Sequence, residues 1–359
     1  MTPSTPVSIS VRPGRDRPDP TTATASDTVP TEGPLVDRFG RVHRDLRISV
    51  TDHCNLRCVY CMPEDGLAFV PRDDLLTFDE IVRVAQVASA LGVTSVRLTG
   101  GEPLMRKGIP ALIARLAEIG FDDLALTTNG TGLARQARAL AAAGLRRVNI
   151  SCDSLRPERF AAIRRRGCLD TVHDAMAAAE AAGLTPIKVN VVLLRGYNDD
   201  EVLAFASFAR STGRVVRFIE FMPLDADGNW TRDRLVPGRE VFEQIAALWP
   251  LELVPENDRH APAKRFRFCD GHGEIGLISS VTEPFCGTCN RLRLTADGAL
   301  RNCLFSDTET AVRDVLREGG TDTRLAALLR DAVWAKLPGH GINEPGFLSP
   351  ARSMSMIGG

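Results

Sequence analysis

From residue 45 onward two hydrophobic rhythms alternate. Short β-branched runs are followed by longer stretches whose apolar residues recur at three- and four-residue steps. The short runs are LRISV (46–50), SVRLT (95–99), DLALTT (123–128), RVNIS (147–151), IKVNVVLL (187–194) and VVRFIEFM (215–222). Helical spacing fills the intervals near 78–91, 108–119, 133–143, 158–182 and 200–211, as in Ile81, Val84, Ala85 and Ala88. Thr77 with Glu80 three residues on reads as a capping box. Gly92, Gly120, Gly144 and Gly183 stand where helices should end. Alternating β and α predicts an α/β fold with a parallel sheet and right-handed crossovers. Six units are too few for a complete eight-fold barrel, so an open partial barrel or a doubly wound sheet is expected. After about residue 223 the rhythm breaks. PLDADGNW is a loop, a helix follows near 239–248, then short strands, then helices near 308–317 and 322–335. The end, LSPARSMSMIGG, reads as a mobile tail.

The chain has 359 residues, 44% of them apolar and 25% charged, as expected of a soluble globular protein with two lobes. A net charge of −1 supplies no global field toward nucleic acid or an anionic membrane. Any anionic ligand must then be held by a local basic cluster. No run approaches 18 apolar residues, so no membrane span is expected. Residues 1–34 hold seven of the 22 prolines and no apolar signal core, which predicts a disordered tail and a cytoplasmic protein.

In a reducing cytosol the nine cysteines should be thiols, metal ligands or catalytic groups. Cys152, Cys168 and Cys269 stand singly and read as apolar fillers. The other six form two triads. Cys54, Cys58 and Cys61 are spaced C-x3-C-x2-C, and Cys286, Cys289 and Cys303 are spaced C-x2-C-x13-C. A structural zinc wants four ligands, and neither His53 nor His272 has ligand spacing to a triad. The remaining readings are a three-ligand catalytic zinc and an iron–sulfur cluster with one iron open. The first spacing matches neither ferredoxin pattern, so a simple electron carrier is not indicated. The first triad, TGGEP (99–103), TTNG (127–130), SCDS (151–154) and Met222 all fall at the carboxyl ends of predicted strands, where α/β folds build sites.

CNLRCVYC followed by GGEP resembles the radical S-adenosylmethionine (SAM) superfamily, and the resemblance narrows. RISVTDHCNLRCVYCMP, VRLTGGEPLMRKG, LTTNG, RVNISCDS, KVNVV, RFIEFMP, FCGTCNRLRLTADGALRNCL and a final GG occur in that order. Over about 45–359 they resemble the MoaA family, the GTP 3′,8-cyclases of molybdenum-cofactor biosynthesis. The resemblance implies a partial (β/α)6 TIM-like barrel over 35–225. A smaller C-terminal α+β lobe, 226–345, would carry an auxiliary cluster and bind GTP, and 346–359 would form the tail. It implies two 4Fe–4S clusters, one on Cys54, Cys58 and Cys61 and the other on Cys286, Cys289 and Cys303. Tyr60, Gly101, Ser151 and Met222 would form the SAM pocket. Arg47, Arg97, Thr128, Lys188, Arg291, Leu292 and Arg293 would bind GTP, the chain having no P-loop to cradle a triphosphate.

In such enzymes a deoxyadenosyl radical removes hydrogen from C3′ of GTP, and C3′ joins C8 of guanine. Catalytic parts would fall to Arg291, Arg293 and the terminal Gly358 and Gly359. Composition alone reads that diglycine as a frayed end; the resemblance implies that it inserts into the site. Implied partners are an electron-donor protein, the cyclic pyranopterin monophosphate synthase that takes the product, and a second copy of the chain. The alternatives are a peptide-modifying radical SAM enzyme with an auxiliary cluster and a zinc-dependent nucleic-acid-binding module. The absence of a basic stripe disfavours the latter.

Overall fold

The six runs form strands within two residues of their expected bounds: β1 (Asp45–Ser49), β2 (Ser95–Thr99), β3 (Asp123–Thr128), β4 (Arg147–Ser151), β5 (Lys188–Leu193) and β6 (Val215–Glu220). The computed structural model describes residues 28–255 and 258–358. The expected tail over 1–34 thus lies mostly outside the described residues. Packing has begun by Gly33 and Pro34, whose carbonyls accept hydrogen bonds from Arg330.

Helices α1 (Phe78–Ala90), α2 (Ile109–Glu118) and α3 (Leu133–Ala142) match their apolar periodicity. The capping box of α1 forms with both of its hydrogen bonds, Thr77 to the Glu80 N–H and Glu80 to the Thr77 N–H. The single helix expected over 158–182 is instead two, α4 (Pro157–Arg164) and α5 (Leu169–Ala181). Arg165 (φ 57°) and Gly167 (φ 84°) take left-handed backbone between them, which ends a helix. The break has a purpose in packing. The carbonyls of Ile163 and Arg164, left open at the end of α4, accept the N–H groups of Val59 (3.0 Å) and Arg57 (3.1 Å) in the first cysteine loop.

Beyond α6 (Val202–Thr212) and α7 (Gly238–Ala246) come β7 (Leu251–Leu253), β8 (Lys264–Phe268), β9 (Glu274–Ile278), β10 (Arg291–Leu294), β11 (Ala299–Arg301) and β12 (Thr310–Ala311). The helix expected over 308–317 is shortened to α8 (Arg313–Arg317), because Thr310 and Ala311 pair with β11. Helix α9 (Asp322–Trp334) and a last turn, α10 (Met354–Ile357), complete the chain.

The strands form one sheet in the order β12-β11-β10-β1-β2-β3-β4-β5-β6-β9-β8-β7. Its eight central strands, β10 through β9, are parallel, and the flanking pairs are antiparallel. The sheet curves as a partial barrel and does not close. The C-terminal region extends it at both edges, which sets the second cysteine segment beside β1. Alternate residues Leu46, Ile48, Val96, Leu98 and Leu126 are fully buried beneath the helices. Each such side chain stabilises the fold by about 1.5–3 kcal/mol. Leu98→Ala should therefore lower apo-protein stability by about 2–5 kcal/mol in urea denaturation; an unshifted midpoint would contradict the described core.

Candidate active site

The other face of the same strands lines a cavity at their carboxyl ends. The first triad follows β1 directly and lines it with all three cysteines. The loop is clamped by the GGEP turn: the Gly101 N–H donates to Thr51 O (2.6 Å) and the Glu102 N–H to His53 O (2.7 Å). A Cβ on Gly101 would lie 2.4 Å from the carbonyl oxygens of Asp52 and His53, so only glycine fits. Glu102 is fully buried and accepts from Thr128 Oγ1 (2.7 Å), Asn129 N–H (2.7 Å) and Leu104 N–H (3.0 Å). Burial raises its carboxyl to about 7 despite these bonds.

Burial also raises the thiols of the first triad, Cys54 to about 11, with Cys58 and Cys61 shifted the same way. A bound cationic metal would have to offset that cost to hold them as thiolates. The surroundings suit thiolate sulfur. The Leu56 N–H (3.5 Å) and Asn129 Nδ2 (3.8 Å) donate to Cys54, and the Ser355 backbone lies near enough to Cys61 to favour its thiolate. Buried Arg164 faces Cys58 and pairs with Asp153 (2.7 Å), which also accepts from Tyr60 Oη (2.8 Å). Among the described residues no three Cys, His, Asp or Glu side chains are gathered around a point that would hold a single metal ion.

The sheet register places cations side by side across three strands. Arg47 lies opposite Arg293 on one side and Arg97 on the other. Arg291 stands opposite Asp45. The Nε atoms of Arg47, Arg97 and Arg291 are buried without a hydrogen-bond partner. Burial, then repulsion from Arg97 and Arg293, pulls Arg47 well below the usual arginine range. Arg217, bonded through Nε to Asn190 Oδ1 (2.9 Å), is lowered likewise. Lys188 falls to about 7 through burial and its neighbours Arg147, Arg217 and Arg97. Asp45 is shared by Arg47, Arg97, Arg291 and Arg293, with Asp123 acting further on Arg97. The charges therefore favour an anion.

The second triad lies behind the wall formed by Phe285, Arg291, Arg293 and Leu304. Its cysteines do not themselves line the cavity. Arg41, buried and held by Asp37 (2.5 Å), donates to the carbonyl of Cys286 (2.8 Å). Buried Lys336 donates to the carbonyls of Arg291 (2.9 Å) and Asn302 (2.6 Å), and its charge acts on Cys289. Burial would raise Cys289, but Arg291 and Lys336 draw it down to about 6. Cys286 is raised by burial to about 11.

The last turn reaches into the cavity, contrary to the mobile end that composition suggests. Met354 and Ser355 line it, Ile357 is buried among Leu224, Val281 and Phe305, and Gly358 O accepts from Arg293 Nη1 (2.6 Å). Gly359 lies outside the described residues. Of the other expected residues, Tyr60, Gly101, Ser151, Met222, Arg47, Arg97, Thr128, Arg291 and Arg293 line one cavity. Lys188 does not, and joins only through its charged neighbours. Leu292 is a correction for the side chain: strand alternation turns it into the apolar core, so a ligand role there would fall to its backbone. Sequence reasoning missed Arg217, Arg164, Glu102 and Lys336. Arg217 carried a signal, an arginine inside the apolar run VVRFIEF.

Fold and site together define a radical SAM protein. Residues 48–209 match the Radical SAM superfamily and residues 214–342 match Molybdenum Cofactor Synthesis C. A GTP 3′,8-cyclase of Corynebacterium glutamicum is 46% identical over 336 residues, covering 90% of this chain and 89% of the relative. GTP 3′,8-cyclase 2 of Mycobacterium tuberculosis is 48% identical over 337 residues, covering 92% and 94%. Streptococcus suis SuiB bound to S-adenosylmethionine shares the fold, with a TM-score of 0.56 at 14% identity over 83% of this chain and 68% of that one. The chain belongs to the GTP 3′,8-cyclase family. Its superfamily works with SAM and an iron–sulfur cluster.

Gly358 has φ 83°, and a Cβ there would lie 2.6 Å from Thr99 Oγ1 and 2.8 Å from Ser49 Cβ. Gly358→Val should expel the last turn and speed carboxypeptidase release of the C-terminus several-fold; an unchanged rate would show that the turn is not seated as described.

Proposed function

We propose that the chain converts GTP into (8S)-3′,8-cyclo-7,8-dihydroguanosine 5′-triphosphate, the first step of molybdenum-cofactor biosynthesis, using SAM and two 4Fe–4S clusters. One observation carries this reading: the first cysteine triad lines, and the second lies just behind, a single cavity in which Arg47, Arg97, Arg291 and Arg293 share the charge of Asp45.

Cys54, Cys58 and Cys61 would hold the first cluster, beside the part of the cavity that would take SAM. Gly101 spends its N–H on Thr51, so a contact with the amino group of SAM falls to its carbonyl. Tyr60, Ser151 and Met222 complete that pocket. Cys286, Cys289 and Cys303 hold the second cluster. When bound, the first cluster and SAM supply a 5′-deoxyadenosyl radical able to take hydrogen from C3′ of the ribose.

The chain's own part is binding, orientation and shielding. Arg47, Arg97 and Arg293 grip the triphosphate through forked, charge-assisted hydrogen bonds, with Lys188 as a point charge nearby. Bound phosphate relieves the repulsion that lowers Arg47 and Lys188. Arg291 and the backbone of Leu292 face the guanine end, next to Cys289. Thr128 braces Glu102 while its edge faces the nucleotide. Gly358 orients Arg293 through its carbonyl. The enclosed cavity keeps water from a reactive substrate. An electron-donor protein, the downstream cyclic pyranopterin monophosphate synthase and pairing of two chains belong to the same reading. The peptide-modifying alternative shares this fold, yet an interior where four arginines share one buried aspartate suits a polyanion better than a peptide.

Protein reconstituted without oxygen should hold about eight iron per chain. Cys54→Ala and Cys289→Ala should each lose about half, and Cys54→Ala all SAM cleavage. Arg47→Ala should weaken GTP binding about ten- to a hundredfold, the loss of one charge-assisted hydrogen-bonding group, without changing iron content. No cyclised product from GTP, SAM and reductant, with both clusters loaded, would sink the assignment.

A further inference from the structure

Lys336 belongs to no motif that led to the reading above, yet it is 4% exposed and lies against the second triad. It follows α9 directly. Its ammonium donates to Arg291 O (2.9 Å), two residues after Cys289, and to Asn302 O (2.6 Å), the residue before Cys303. Its charge also acts on the neighbouring Cys289. The side chain of Asn302 reaches back to α9, donating through Nδ2 to Ala332 O (2.9 Å). One buried cation thus ties together two segments 14 residues apart, each bearing a cysteine of the triad. Its nearest charge neighbours are Cys289, Cys303 and Arg41. Among the described residues no carboxylate hydrogen-bonds or ion-pairs with it. A buried ammonium without a carboxylate is costly unless another anion compensates it.

We propose that Lys336 is a positioning and tuning residue of the second cluster: it fixes the Cys289 and Cys303 segments at cluster spacing and sets the cluster's reduction potential through its charge. The inference rests on the two-cluster reading. A cluster on three thiolates carries net negative charge, and reduction by one electron adds to it. A fixed positive charge beside Cys289 favours the reduced state and raises the potential, as hydrogen bonds and net charge around cluster sulfur do generally. Lysine suits the place because a compact head with three donors satisfies two carbonyls and still keeps its positive charge beside Cys289. The first triad is served differently: the planar guanidinium of Arg164 faces Cys58 and is already paired with Asp153.

The test uses full-length chain carrying Cys54→Ala, Cys58→Ala and Cys61→Ala, in which only the second triad can hold a cluster, with Lys336, Lys336→Met or Lys336→Arg. Iron, sulfide and an electron paramagnetic resonance redox titration are read on each. With Lys336 present, about four iron are expected; fewer than one would defeat the two-cluster reading itself, separately from this inference. Lys336→Met should shift the reduction equilibrium toward the oxidised cluster by at least about tenfold, about 59 mV for one electron. An unchanged potential with the cluster intact would overturn the proposal. If Lys336→Met holds no cluster, Lys336→Arg decides: a regained cluster with a potential near that of the lysine form supports the role of charge. Failure of Lys336→Arg to hold the cluster, with its circular dichroism native, would overturn it.

Discussion

The row Arg293–Arg47–Arg97 is the constraint around which the rest of this structure is arranged. Parallel strands β10, β1 and β2 are in register, so three guanidinium groups face the same interior at adjacent positions. Their mutual repulsion in a region of low dielectric is unfavourable, and Asp45 offsets only part of it. A sheet closed into a tight barrel would fill that interior with apolar side chains. Here the barrel stays open, the interior carries arginines among apolar residues, and the main apolar core lies between the strands and the outer helices. Stability comes from one face of each strand, and ligand affinity from the other.

The cysteine loops depend on that frame in different ways. The first hangs from the end of β1 and has little secondary structure of its own. It is fixed by the GGEP turn on one side and by the open carbonyl end of α4 on the other. The left-handed Arg165 and Gly167 are what bring that helix end to the loop, and Gly167 passes close to Leu56, where a Cβ would lie 3.1 Å from Leu56 Cδ2. The second triad is fixed by charge as well as by hydrogen bonds, through Arg41 at Cys286 and Lys336 at Cys289 and Asn302. Burial raises Cys54 to about 11, whereas Cys289 sits near 6 because fixed cations outweigh the same burial.

Much of this was legible in the sequence, for physical reasons. A strand buried on one face and lined by ligand groups on the other has a strong β-branched signature, which is why β2, β3 and β4 match their expected bounds. Motifs report what is contiguous, so both triads and the Arg291–Arg293 pair could be read directly. What could not be read was tertiary pairing. RRRGC between α4 and α5 looks helical until the need to cap the cysteine loop is known. Thr310 and Ala311 look helical until β11 is there to pair with them. Lys336 and Arg164 are ordinary charged residues on helix ends, and only the folded chain places them beside sulfur. Leu292 shows the same limit: membership in a motif does not reveal that its side chain enters the apolar core.

The end of the chain joins these parts. Helix α10 is one turn long and could not persist alone, since nucleating a helix costs more than four residues return. It is held by what it touches: the Met354 N–H donates to Leu224 O (3.0 Å), and Ile357 fills a small apolar cluster with Leu224, Val281 and Phe305. From that seat the Ser355 backbone lies near Cys61 and Gly358 O reaches Arg293. A single turn thereby contacts the first triad and the arginine row together. It can do so only because the C-terminal strands have already extended the sheet at both edges, placing Val281 after β9 and Arg293 in β10. The tail is the last wall of the cavity, and its seat is assembled from every other part of the fold.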